Sequence, residues 1–187
     1  MAYTREDDDI KIFGSENTEA DAEFLRQIES LDHHRQNGNV EKAHALGKKL
    51  YTIIVDEETK LEIGDKDFAE GKLLIKTGVL ALFATEAALN MYLPSAQLST
   101  IAISEMHRLL AKTDSPVYEK VMESPAYSFY YLSIRKGGAD VSEEIGKAFA
   151  MNCRHEGEEK YIAEGKYIYE RVTREVRRQI DKIGFAD

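Results

Sequence analysis

Gly38-Asn39-Val40-Glu41-Lys42-Ala43-His44-Ala45-Leu46-Gly47-Lys48-Lys49-Leu50 decides the fold, because it reads as a turn that opens a helix and it is echoed downstream. The echo is Gly138-Ala139-Asp140-Val141-Ser142-Glu143-Glu144-Ile145-Gly146-Lys147-Ala148-Phe149. Each stretch starts on a glycine turn with an Asn or Asp cap. Each then runs through Val and acidic residues to an aliphatic-Gly-Lys step. A helix-turn-helix unit used more than once is the simplest reading, and such units build binding surfaces more often than active sites.

Working outward, Thr18-Glu19-Ala20-Asp21 resembles a capping box before a helix with Phe24, Leu25, Ile28 and Leu31 on one face. Asn39 is expected to cap the helix that carries Val40, Ala43, Gly47, Leu50 and Ile54 at three-four spacing. Tyr51 to Val55 is β-branched but sits inside that helical period. Asp56 to Asp67 is polar and reads as a loop. The apolar stretch that follows, from about Phe68 to Leu93, ends at Pro94, whose ring cannot continue a helix. Ser95 starts a helix bearing Leu98, Ile101, Ala102, Met106, Leu109 and Leu110. Ser115-Pro116 and Ser124-Pro125 each place a hydroxyl before a proline at a first helical position. The first opens a short helix, and the second opens one with Tyr127, Tyr130, Tyr131 and Ile134. Asp140 caps the helix of Val141, Ile145, Ala148, Phe149 and Asn152. From Gly157 onward, Ile168, Val172, Val176, Ile180 and Ile183 mark a long amphipathic helix. No segment alternates as a strand would. The expected fold is all-α, seven or eight helices stacked as antiparallel pairs, with residues 1–17 an acidic arm and 18–187 one helical domain.

Gly47, Gly78, Gly146 and Gly165 fall inside these helices, where each costs about 1 kcal/mol relative to Ala. Close backbone approach at helix crossings is the expected compensation.

Gln36-Asn37-Gly38-Asn39-Val40-Glu41-Lys42-Ala43 resembles the turn and second-helix start of a tetratricopeptide repeat. The match covers one unit. It departs where Gly47 stands in place of a large residue and Leu50 in place of a small one. The resemblance implies a scaffold that holds a peptide or partner protein in a concave groove, and it carries over no individual binding residue.

Composition narrows the function classes. The net charge of −9 argues against a nucleic-acid or anionic-membrane partner, which would be repelled at long range. One cysteine, Cys153, excludes an intramolecular disulfide and points to a reducing, cytoplasmic setting. Leu73 to Leu93 is long enough to span a bilayer but carries Lys76 and Glu86, and a charge at mid-bilayer costs about 2.5–3.5 kcal/mol. It reads as a central core helix.

Chemistry is sparse. Glu41-x-x-His44 places two metal-ligand types on one helix face, but the second such motif that a four-helix metal site needs is missing. Glu105 and His107, two apart, point about 200° away from each other on a helix. Glu29 and His33 share a face near a helix end, where histidine suits the dipole. Cys153 and His155 sit at a helix C-terminus, which disfavours a thiolate, so a structural thiol is expected. Glu86 lies in an apolar run, where an unpaired carboxylate is costly to bury. Its expected partners are Arg108, Lys76 or a tyrosine hydroxyl. Tyr127, Tyr130 and Tyr131 form an aromatic group that can pack or line a groove. The Arg171, Arg174, Arg177, Arg178 and Lys182 strip lacks interleaved aromatics and has acids beside it.

No catalytic residue, cofactor or metal is expected. The leading expectation is a protein- or peptide-binding module with Glu86, Glu105, His107, Arg108, Tyr127, Tyr130 and Tyr131 as candidate ligand contacts. The alternative is a helical-bundle enzyme or small-ligand or metal binder, with Glu86, Glu105, His107 and His44 around one cavity. Homo-oligomerisation through an apolar strip on the last helix is a further expectation.

Overall fold

A computed structural model describes residues 18–55, 71–113, 118–119, 124–136 and 140–186. The acidic arm, the loop from Asp56 and the Ser115-Pro116 helix start lie outside them. The described residues form seven α-helices and no strand: α1 (Thr18–Gln36), α2 (Asn39–Val55), α3 (Gly71–Tyr92), α4 (Ala96–Leu110), α5 (Ala126–Lys136), α6 (Val141–Asn152) and α7 (Glu159–Ile183). A short 3-10 turn, Ala111–Thr113, extends α4. The helices pack as antiparallel pairs.

The element boundaries follow local chemistry. Gly38 adopts φ +77 between α1 and α2, a left-handed turn that a side chain resists. Ser95 caps α4 by accepting from Leu98 N–H at 3.3 Å, and Asp140 caps α6 by accepting from Glu143 N–H at 3.1 Å. Gly184, at φ +67, ends α7 by donating its N–H to the Ile180 carbonyl. Asn39 does something else. Its side chain reaches away from the helix it begins, to the backbone of Ala186 and the ring of His34. The expected cap is a tether instead: its Oδ1 accepts from the Ala186 N–H, while the Asn37 side chain accepts from the Asn39 N–H at the start of α2.

The core is built around α3. Val79, Leu80, Ala81, Leu82, Phe83, Ala84, Ala88 and Leu89 are all buried, and α3 packs against α4, α5, α6 and α7. A helix apolar on every side must be enclosed, so Leu73–Tyr92, long and apolar enough to cross a membrane, is largely wrapped by the other helices. Around it, Leu98, Ala102 and Met106 of α4 meet Ala43, Leu46 and Leu50 of α2 in one core. The stripe on α7 turns inward as its spacing predicts: Ile168, Val172, Val176 and Ile180 are buried. Each such side chain contributes roughly 1.5–3 kcal/mol. That stripe is spent inside the chain.

Three of the four mid-helix glycines mark crossings. A Cβ on Gly47 would lie 2.5 Å from the Ala102 carbonyl oxygen of α4. One on Gly146 would meet the Ile162 carbonyl of α7, and one on Gly165 would lie 2.5 Å from Phe149 Cβ. Both aliphatic-Gly-Lys steps are therefore contact points, α2 on α4 and α6 on α7, which are the two most extensive helix pairings. In a linear repeat array each unit touches only its neighbours. Here α2 also meets α7, so the beginning and end of the helical chain come together.

The stripe expected on α1 is not buried. Phe24, Leu25 and Ile28 are 63%, 59% and 42% exposed. α1 is the outermost helix and rests on α2, with Gln97 Nε2 donating to the Gln27 carbonyl as a tie to α4. Its apolar spacing is that of a helix with a face to cover, and no described helix covers it.

Candidate functional site

The candidate site residues separate into two clusters on α4, as two positions two residues apart must. Glu105 turns toward α2. Its carboxylate takes a bidentate pair of bonds from Arg108, at 2.9 and 2.7 Å, and lies 3.8 Å from His44 Nδ1. The Arg108 hydrogen bonds hold the Glu105 carboxyl below its ordinary range, against the opposing effect of burial. Arg108 is thus committed to Glu105 and is not the partner of Glu86.

His107 turns the other way, toward α3. Its Nε2 lies 2.7 Å from Glu86 Oε1, and the same oxygen accepts from the Tyr127 hydroxyl at 3.1 Å. A carboxylate can only accept, so His107 carries its proton on Nε2 in this contact. On the far side of the ring, Nδ1 lies 2.9 Å from the Tyr118 hydroxyl. Glu86 therefore joins α3, α4 and α5 and, through His107, the Tyr118 segment. Burial first, and then the negative Glu86, push the Tyr127 hydroxyl well above the usual phenol range. Tyr118 moves the same way for the same reasons. Both stay neutral donors.

The expectation of a tyrosine hydroxyl on Glu86 holds. Arg108 and Lys76 play no such part, and His107 is the partner that sequence reasoning missed. The α3–α4 hairpin about Pro94-Ser95 lays the two helices side by side, but the sequence does not say which α4 residue comes against Glu86.

Glu86 also lines an open groove of about 720 Å³ between α3 and α5. Phe83, Ala87 and Met91 form one wall, and Tyr127, Tyr131 and Leu132 the other. Among the described residues Glu86 is the only charged side chain in the lining, and Oε2 has no hydrogen bond. Tyr131 stands 59% exposed at the rim, whereas Tyr130 is buried in the core, its ring 5.3 Å from Phe83. Tyr130 therefore supports the groove from behind and cannot touch a ligand in it.

A second groove, of about 580 Å³, lies on the other side of α5 between Phe129, Leu132, Ala148, Met151 and Ile162. Leu132 belongs to both. Met91, Phe129, Tyr131, Leu132 and Met151, all exposed, surround the two grooves.

The remaining sequence candidates have structural partners. His155 stacks on Tyr161, with ring centroids 3.9 Å apart, and its Nδ1 lies 2.8 Å from Glu158, so it is not paired with Cys153. Burial raises the Cys153 thiol to about 11. In the basic strip, Arg178 forks onto Glu175, Arg171 meets the Tyr167 hydroxyl and Arg177 lies over the Tyr92 ring. Among the described residues no group of three or more His, Cys, Asp or Glu side chains is placed to share a metal ion. Comparison of the chain with family models, with curated proteins and with solved structures gives no match.

Proposed function

We propose that the protein is a cytoplasmic, non-catalytic binding module whose α5 ridge, with a groove on either side, receives an apolar segment of a partner protein. The observation that carries this reading is the cluster of exposed Met91, Phe129, Tyr131, Leu132 and Met151 around the two grooves. Solvent-exposed apolar side chains gathered in one place mark interaction surfaces, and aromatic and methionine side chains are enriched in interface centres. Methionine adapts its shape to different occupants. The repeated helix-turn-helix units suit a scaffold of this kind.

The test is a selection of helix-forming peptides displayed on phage against the immobilised full chain. Recovered peptides should share two or more large apolar residues at helical spacing. Leu132→Asp should abolish their binding while leaving the circular dichroism unchanged. Peptides that bind the Leu132→Asp protein equally well would refute the assignment of this face.

The stripe on α1 supports a separate proposal, self-association. Light scattering checks it, and a strict monomer at high concentration ends it.

A further inference from the structure

We infer that the groove between α3 and α5 is a receptor for a basic side chain, an arginine or lysine that a partner segment presents between its apolar residues. This rests on the binding role proposed for the α5 face and adds what the face selects.

Glu86 supplies the reason. It is partly exposed in the groove, and among the described residues it is the only charged group in the lining and both of its hydrogen bonds fall on Oε1. Among the described residues no lysine or arginine lies within ion-pair distance of it. In the free protein, part of the Glu86 side chain is open to solvent. A purely apolar partner laid over the groove would exclude that solvent and leave a carboxylate oxygen without a donor, which is a large penalty. A partner that covers the groove must therefore bring a donor to Oε2. A cation is preferred to a neutral donor, because His107 and Tyr127 contribute hydrogen bonds and, among the described residues, no lysine or arginine balances the carboxylate charge. The walls agree with that choice. Phe83, Tyr127 and Tyr131 line the groove, and aromatic rings attract a cation while packing against its methylene stem. At longer range, the net charge of −9 draws in a basic partner. His107 of α4 and Tyr127 of α5 fix the carboxylate from two neighbouring helices, so its position is set before anything binds.

The experiment is the same helical-peptide selection, run on the native chain and on Glu86→Gln. Gln keeps an oxygen for His107 and Tyr127 but removes the charge. Native protein should enrich Lys or Arg between apolar positions, and Glu86→Gln should lose that enrichment. For one selected peptide, replacing the basic residue with norleucine should weaken binding about tenfold, and should have little further effect on Glu86→Gln. Tyr127→Phe, which leaves the charge in place, should keep the basic preference. Peptides enriched without a basic residue, or a preference that survives Glu86→Gln, would overturn the inference while leaving the binding role intact. Recovery of no peptide at all would overturn both. Butylamine or methylguanidine binding as tightly as the peptides would assign the groove to a small cation and overturn the partner-segment reading.

Discussion

Asn39 and Ala186, 147 residues apart, hold each other by two opposed hydrogen bonds: the Ala186 N–H donates to Asn39 Oδ1 at 2.9 Å, and Asn39 Nδ2 donates to the Ala186 carbonyl at 2.7 Å. The pairing fixes which amide atom is oxygen. The second Nδ2 proton then faces His34 Nδ1, 3.2 Å away, so that nitrogen must accept. Lys42 Nζ adds a bond of 2.8 Å to the Gly184 carbonyl. The start of α2 is thereby sewn to the residues that follow α7. Asn39→Ala is expected to destabilise the protein by about 1–3 kcal/mol, because buried polar partners lose their bonds. Asn39→Asp should cost at least as much at neutral pH, since a carboxylate oxygen would then face the Ala186 carbonyl. Urea unfolding measures both, and hydrogen exchange of the 184–186 amides should accelerate in step. An Asn39→Ala protein with native stability and exchange would show that the tether holds nothing.

Asp140 gives a pH dependence with a definite sign. Its carboxylate accepts from Ser142 Oγ, Glu143 N–H and Lys166 Nζ, and these bonds lower its pKa to about 2. The unfolded chain should titrate near 3.9. The folded state thus binds the proton less readily, so the Asp140 contribution is complete above about pH 4 and is lost as pH falls toward about 2. Asp140→Asn should lower the melting temperature at pH 6, with the gap to the native chain closing across that acid window. A gap that stays constant from pH 6 to pH 2 would show that the charge is irrelevant to the cap.

Helix positions were legible because their apolar spacing is local. α7 is the clearest case: the spacing of Ile168, Val172, Val176 and Ile180 names a buried stripe, and those residues are buried. The crossing glycines were legible too, since a residue that weakens a helix needs a reason to be there. What spacing cannot reveal is the neighbour. Phe24, Leu25 and Ile28 mark a face of α1, but whether another helix covers that face depends on how the chain closes. Asn39 has the residue type of a cap, and only the distant Ala186 explains its use as a tether. Glu86 in an apolar run demanded a partner. Choosing His107 over Arg108 requires the register of α3 against α4, which no local pattern contains.

Cys153 is expected to be unreactive in the folded chain. Burial raises its thiol to about 11, with nearby Lys76 acting weakly in the opposite direction. A rise from 9.0 to about 11 means about 100-fold less thiolate at pH 8. Iodoacetamide should therefore label the native protein about 100-fold more slowly than the urea-unfolded chain at that pH. Equal rates would place the thiol in open water.

Gly146 and Gly165 test whether helix contact, rather than helix propensity, sets the stability of the α6–α7 pair. In an exposed helix, Gly→Ala gains about 1 kcal/mol. Here a Cβ at Gly146 would run into the Ile162 carbonyl, and one at Gly165 would lie 3.1 Å from Gly146 Cα as well as against Phe149. Backbone atoms cannot swing aside as a flexible side chain can, so the helices must separate and the buried Phe149 and Ile168 lose contact. Each substitution should cost about 1–3 kcal/mol, reversing the sign that propensity alone predicts. Gly47→Ala, against the Ala102 carbonyl at 2.5 Å, should behave alike at the α2–α4 crossing. The pairs then differ. Gly146→Ala with Gly165→Ala should cost less than the sum of the two, because one separation of α6 from α7 relieves both clashes. Gly47→Ala with Gly146→Ala should add, since those substitutions lie at different crossings. Urea midpoints of the three single and two double variants decide it. Stabilisation by any of the single substitutions would mean that the backbones do not approach at that point.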